Sequence, residues 1–299
     1  MANSNSSANF DPACGFFGRL RHRRTALLVL AGTSLLLVGC NKKDYTAYAL
    51  TSTNSIITFA TNKPSDINNK VTVTGLTGSE TLLQIAYSTD ATSVLYGVTS
   101  GNRICTVDPL GGVVSGCVGP FINDTLSNVV MSFDPTTNDL RVIANDTVQS
   151  NGHLNALVMP SSGTLEPTQQ SDKLSYSDGT NGTPQISAIA YDNPIQGAAS
   201  TTLYALDVAD LGLDRIGDKG ATNASSVTSG GVDSLGTTGV TFTSNVGLSI
   251  APQDGTAYAV LGGAASLYTV DLGNGSATLV GTVHDADYTL ISLAIAPNS

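Results

Sequence analysis

Three neighbouring stretches, Gly247-Leu248-Ser249-Ile250-Ala251-Pro252, Ala257-Tyr258-Ala259-Val260 and Tyr268-Thr269-Val270-Asp271, decide the fold. Each is a short apolar run bounded by Gly, Pro, Asp or Asn, the punctuation of strands rather than helices. The same three-part pattern returns along the chain. Its first part recurs as Leu83-Gln84-Ile85-Ala86-Tyr87, Val130-Met131-Ser132-Phe133-Asp134-Pro135, Ile186-Ser187-Ala188-Ile189-Ala190-Tyr191-Asp192 and Ser292-Leu293-Ala294-Ile295-Ala296-Pro297. Its second part recurs as Leu95-Tyr96-Gly97-Val98, Leu140-Arg141-Val142-Ile143 and Leu203-Tyr204-Ala205-Leu206. A third strand is read at residues 55–61, 103–108, 154–159, 213–217 and 266–271. A fourth is read at residues 71–76, 116–121 and 277–283, and is weaker in the other two units.

The repeat is circularly permuted. The chain ends before a second element can follow residue 297, and the missing piece stands near the start as Ala47-Tyr48-Ala49-Leu50. Units whose first and last pieces share one repeat predict an all-β protein: a five-bladed β-propeller of four-stranded blades, closed by the C-terminal strand joining the N-terminal blade. The physical reason is edge protection, because a lone blade cannot cover both its faces or its edges. An open solenoid or a sandwich uses similar strands, but neither requires the chain ends to meet. The propeller domain is placed at residues 46–299.

A leader precedes it. Arg19, Arg21, His22, Arg23 and Arg24 form a basic cluster, and residues 25–39 are apolar or small throughout. That run is shorter than the ~20 residues a spanning helix needs. A basic region, a short apolar region and small residues before a cut describe a secretory signal. The run ends in Leu37-Val38-Gly39-Cys40, which resembles the bacterial lipobox. Residues 1–39 are therefore expected to be a lipoprotein signal peptide, with Cys40 lipidated and residues 40–45 a tether to the membrane. Firm anchoring takes two or more acyl chains, since each buried CH₂ contributes only ~0.8 kcal/mol. Asn41 behind the modified Cys resembles an outer-membrane destination, so the expected location is the cell envelope. An uncleaved anchor, or a secretory signal with an incidental Cys, is the competing reading. His22-Arg23-Arg24-Thr25-Ala26-Leu27 has a faint twin-arginine character, but the Leu density favours the general secretory route.

Without the leader, nine basic side chains face 22 acidic ones, a net charge of −13. Nucleic-acid binding needs clustered Lys and Arg and is not expected here. Of the four cysteines, Cys14 lies in the leader and Cys40 takes the lipid, which leaves Cys105 and Cys117. They flank Asp108-Pro109-Leu110-Gly111-Gly112, a turn-forming stretch centred midway between them. Opposite positions on one hairpin in an oxidising compartment predict a disulfide, with two free thiols as the alternative.

The whole chain behind the leader, from about residue 46 to 297, resembles a bacterial domain-of-unknown-function family of secreted, propeller-like proteins. The resemblance is carried by Ile57-Thr58-Phe59, Gly75-Leu76-Thr77-Gly78-Ser79-Glu80-Thr81-Leu82, Thr106-Val107-Asp108-Pro109, Asp139-Leu140-Arg141-Val142, Thr201-Thr202-Leu203-Tyr204 with Asp207, and Leu267-Tyr268-Thr269-Val270-Asp271-Leu272. Where members usually carry Asp and Arg, this chain reads Ile85-Ala86-Tyr87-Ser88-Thr89. Where they show Asp-Arg-x-Arg, it has Asn138-Asp139-Leu140-Arg141. The resemblance implies a fold and no activity.

Candidate chemistry is sparse. The two histidines behind the leader, His153 and His284, have no metal-ligand spacing. No nucleophile elbow or phosphate-binding loop occurs. Asp108, Asp207 and Asp271 each follow a strand and are read as a ring on one face, able to hold Ca²⁺ or to act as an acid/base pair. Asp134 and Asp192 end another strand and are read likewise. The competing reading is that each Asp begins a turn by accepting its own backbone N–H. The series Asp207, Asp210, Asp214, Asp218 lacks calcium-loop spacing and is expected to be solvated. These observations favour a lipid-anchored, non-catalytic binding module for a protein or glycan ligand, without a required cofactor. The alternative is an exported hydrolase or lyase using carboxylates at the propeller axis.

Overall fold

The computed structural model describes residues 43–146, 153–170, 172–179, 182–217, 227, 229–262, 265–283 and 288–297. The leader, Cys40, Asp218 and His284 lie outside the described residues. All those described belong to the unit Lys42–Ser299.

Five sheets form the five expected blades. The first contains β1 (Thr46–Thr51), β2 (Ser55–Ala60) and β3 (Lys63–Thr72). The second contains β4 (Leu82–Tyr87), β5 (Leu95–Thr99), β6 (Ile104–Val107) and β7 (Val114–Val118). The third contains β8 (Leu126–Phe133), β9 (Leu140–Asp146), β10 (His153–Met159) and β11 (Thr164–Gln170). The two-residue β12 (Ser175–Tyr176) precedes the fourth blade, β13 (Ile186–Tyr191), β14 (Leu203–Asp207), β15 (Gly212–Ile216) and β16 (Gly231–Thr237). The fifth holds β17 (Gly247–Ile250), β18 (Ala257–Leu261), β19 (Ser266–Val270) and β20 (Ala277–Thr282). Finally β21 (Leu290–Ile295) pairs antiparallel with β1, with Ala47 opposite Ile295 and Ala49 opposite Leu293, as the innermost strand of the first blade.

Two details depart from the sequence reading. The outer strand of the first blade runs over Lys63–Thr72 rather than residues 71–76. In addition, β12 pairs parallel with β16 and gives the fourth blade a fifth, outermost strand.

The strand sequences explain the ring. Successive side chains of a strand point to opposite faces, and in a propeller both faces are covered by neighbouring blades. In β1, Ala47 and Ala49 enter the core shared with the fifth blade, while Tyr48 and Leu50 enter the core shared with the second. In β14, Leu203 and Ala205 face the third blade and Leu206 the fifth. Strands apolar on both faces therefore read as continuous apolar runs. Five interblade cores result, one at each junction around the ring.

At the axis the innermost strands nearly touch. A methyl group on Gly247 of β17 would lie 2.4 Å from the backbone N of Leu293 in β21. Inner-strand serines stitch blade to blade: Ser249 Oγ accepts from the Ile295 N–H (3.0 Å), and Ser292 Oγ from the Ile85 N–H (3.1 Å). Ser132 Oγ similarly accepts from Tyr191 N–H (3.3 Å).

Cys105 in β6 and Cys117 in β7 form the expected disulfide, with their Cα atoms 4.0 Å apart. The β6–β7 register slips by one residue beside them, between the pairs Ile104–Val118 and Thr106–Ser115.

Gly247→Ala should lower stability by ~1–3 kcal/mol through overpacking of the inner strands. The readout is a lower urea midpoint, and an unchanged midpoint would mean that the inner strands spread freely. Replacing both Cys105 and Cys117 by Ser should cost up to ~3 kcal/mol by releasing a short loop in the unfolded chain. Thermal melting of that double variant against the untreated protein measures it.

Candidate functional site

The ring expected from Asp108, Asp207 and Asp271 does not form. Asp271 follows β19, whose last residue Val270 pairs with Ala257 at the start of β18. Asp108 follows β6, the equivalent strand of its blade. Asp207 instead closes β14, where it pairs with Ile186 at the start of β13 and with Gly212. The second and third strands of a blade are antiparallel, so residues following them lie at opposite ends of the blade. An Asp after a short apolar strand looks the same in sequence whichever strand of the blade it follows.

Asp108 and Asp271 are exposed and organise turns, accepting from Leu110 N–H (3.0 Å) and Gly273 N–H (2.8 Å) respectively. Asp134 accepts from the Thr136 N–H (2.8 Å) and hydroxyl (2.6 Å), and Asp192 from the Thr202 N–H (2.6 Å). These are the local side-chain-to-backbone bonds that favour Asp at corners.

Among the described residues, no carboxylate lines the axial channel. Its lining includes Ile85, Met131, Ile189, Leu248 and Leu293, and none of its residues is Asp, Glu or His. The titratable side chains of this lining are the phenols of Tyr87 and Tyr191.

What the fold does bring together is Asp207, Asp210 and Asp214, within the series expected to be solvated. One carboxylate oxygen of each lies within 4.8 Å of the others. Asp207 and Asp214 are fully buried, each 0% exposed, and Asp210 is half-buried. Their positions follow from the hairpin. Asp207 ends β14, Asp210 sits in the turn, and Asp214 lies in β15 opposite Ala205, on the blade face that Asp207 shares. Gly212 makes room, because a Cβ there would meet the Asp210 carboxylate at 2.7 Å.

Hydrogen bonds hold two members of the cluster. Asp207 accepts from the Tyr176 hydroxyl (2.7 Å) and from the N–H groups of Gln185 (2.9 Å) and Ala209 (2.7 Å). Asp210 accepts from Gly212 N–H (2.8 Å) and the Ser234 hydroxyl (2.9 Å). No hydrogen bond of good geometry reaches either buried oxygen of Asp214, although the Ser234 hydroxyl and the Asp207 carboxyl are near enough to act on it. The ion pairs among the described residues, Lys43–Asp254, Arg103–Glu80 and Arg215–Asp233, leave the cluster without a basic partner.

A signal for Asp214 was present in the repeat. Cross-strand register aligns it with Ile57, Cys105, Ala156 and Tyr268 in the other four blades. Four blades place an apolar residue or cysteine where the fourth places a charge. The same alignment exposes Arg141, which stands where the other blades carry Tyr48, Tyr96, Tyr204 and Tyr258. Arg141 is fully buried and donates to Asn155 Oδ1 (3.2 Å), whose Nδ2 donates to the Val227 carbonyl (3.3 Å). Buried Asp134 and Arg141 both act on the Tyr191 hydroxyl, whose pKa burial raises while Arg141 opposes and Asp134 reinforces. Arg in place of Tyr at this position thus makes a buried polar joint between the third and fourth blades.

Residues 55–294 match the family described as "Domain of unknown function (DUF4394)". The chain belongs to this family. The match spans nearly the whole ring, so every blade is part of the family's domain. No curated protein matches the chain. Similar solved structures include a nidogen/laminin complex, with a TM-score of 0.49 at 12% identity over 86% of this chain and 100% of that one. Another is a calcium-binding protein, regucalcin, from Agrobacterium tumefaciens str. C58 (TM-score 0.45, 13% identity, 85% and 80% coverage). A third is a protein of unknown function from Bacteroides caccae (TM-score 0.42, 9% identity, 79% and 72% coverage). These likenesses carry no statement about activity.

Burial, reinforced by the charges of Asp210 and Asp207, pushes the Asp214 carboxyl up to about 8. Folding thus keeps a proton that the unfolded chain releases above ~4. The stabilisation is complete below that value and is lost as pH rises through about 8. In chelator-treated protein the urea midpoint should therefore fall over this window, and Asp214→Asn should flatten the profile. A flat wild-type profile would contradict the assignment.

Proposed function

We propose that this chain is an exported, lipid-anchored envelope protein whose propeller serves as a non-catalytic binding module for a protein or glycan. The observation that supports the non-catalytic reading is the axial channel, whose lining is mostly apolar and small polar, with Tyr87 and Tyr191 and without a carboxylate or imidazole. Export is supported by the leader that ends in Leu37-Val38-Gly39-Cys40, and by the disulfide between Cys105 and Cys117.

The anchor would also set orientation. The chain enters β1 at the end of the ring where the innermost strands finish, and there Lys43 pairs with Asp254 in the turn after β17. Only about six residues separate Cys40 from that strand, a reach of roughly 20 Å at ~3.3–3.6 Å each. This end would therefore face the membrane, with Ile195, 60% exposed, projecting from it. The opposite end, with the exposed turn around Ser79 leading into β4, would be open to a partner.

Cys40→Ser should move the protein from the membrane to the soluble fraction and abolish labelling by an alkyne fatty acid. A photo-crosslinking residue at Ile195 should label phospholipid, and one at Ser79 a protein or glycan. Retention of the Cys40→Ser variant in the membrane would refute the anchor. Turnover of ester, lactone or glycoside substrates by purified protein would refute the non-catalytic role.

A further inference from the structure

Asp214 poses a problem that the binding-module reading leaves untouched. A carboxylate buried without a partner costs several kcal/mol, and such groups take up a proton or a cation. The first is a fallback. The second needs further oxygen ligands converging on the same point, and Asp207 and Asp210 supply them. Two oxygens flanking a calcium ion at ~2.4 Å each lie at most ~4.8 Å apart, which is the limit the three carboxylates meet.

We infer that Asp207, Asp210 and Asp214 form a divalent-cation site of the fourth blade, with both orphaned oxygens of Asp214 available as ligands. The ligand set is all oxygen, with no His or Cys among the three, so the site takes a hard cation, Ca²⁺ before Mg²⁺, rather than Zn²⁺. Three carboxylates against a double charge leave the cluster far less repulsive than three charges alone. Hydrogen bonds from Gln185, Ala209, Gly212, Ser234 and Tyr176 already fix two of the ligands in place. That preorganisation removes part of the ordering cost of binding. The site would bridge β14 and β15 through their turn, and tie β12 to them through Tyr176. It lies at the end of the ring where the inner strands begin, opposite the end at which the chain enters β1. It stands independently of the anchor and of any ligand at the rim.

The test uses the purified full chain, stripped with chelator and titrated with CaCl₂. The melting temperature should rise by ~5 °C or more at saturation, since a cation held only by the folded state stabilises it by mass action. Tb³⁺ should give tyrosine-sensitised luminescence that Ca²⁺ displaces, and Tyr176→Phe should weaken it. Asp210→Asn and Asp214→Asn should each lower affinity at least tenfold, while Asp271→Asn, in a separate turn, should bind as the wild type does. If Asp214→Asn does not fold, Asp210→Asn at its half-buried position carries the comparison. No rise in melting temperature up to ~10 mM Ca²⁺, above the weakest extracellular calcium modules, would overturn the site. So would a rise that survives both substitutions, or an Asp214→Asn variant more stable than the stripped wild type with no calcium response in either.

Discussion

Everything in this molecule depends on the pairing of β21 with β1. Antiparallel hydrogen bonds from Ala47–Ile295 to Ala49–Leu293 turn a row of blades into a ring. Without that pairing the first blade would expose an inner edge, and two interblade cores would lose one wall each. The core between the fifth and first blades contains Leu290, Leu293 and Ile295 beside Phe59 and Leu267, and the next contains Ala294 and Ala296 beside Leu50 and Leu82. One strand at the end of the chain therefore supports cores on both sides. The serine bonds made by Ser249 and Ser292 fasten the same strand to its two neighbours at the axis.

Closure has a consequence at the centre. Inner strands that approach within the tolerance of a single methyl group leave a narrow axial cavity lined by aliphatic, aromatic and small side chains. Polar chemistry is displaced outward into the blades, and each instance modifies the repeat. Arg141 replaces a tyrosine and brings with it Asn155, Asp134 and a Tyr191 hydroxyl. Asp214 replaces a core residue and gathers Asp207 and Asp210. Both departures abut the core between the third and fourth blades, which contains Val130, Ile143 and Leu203. The fourth blade also recruits the extra strand β12, which brings Tyr176 to Asp207. Among the described residues, the buried charges Asp134, Arg141, Asp207 and Asp214 thus gather in the third and fourth blades, while buried polar groups such as Ser292 and Gln84 bridge other junctions without charge.

The acidic cluster shows why one-dimensional reading failed there. In sequence, Asp207, Asp210 and Asp214 look like a hydrophilic loop, since their spacing matches no calcium-loop pattern and turns are ordinarily acidic. Their burial is a property of the blade. Asp207 and Asp214 sit on adjacent antiparallel strands facing the third blade, and the interblade contact removes their water. The expected ring of Asp108, Asp207 and Asp271 failed for a related reason. Residues that follow similar-looking strands need not share a rim, because strand direction within the blade separates them.

The amino-acid sequence by itself determined the strand class, the five-fold repeat, its permuted closure and the Cys105–Cys117 pairing. These follow from short apolar runs, turn residues and the sharing of one repeat between the first and last units, all properties of local order along the chain. The tertiary structure alone decided which polar residues lose their solvent and which meet. Burial arises where blades pack face to face, and strand direction assigns each residue to an end of the ring. Neither relation is recorded in the spacing of one residue type. Asp214 was legible only as an exception to its repeat, and its partners became visible only when the hairpin folded back.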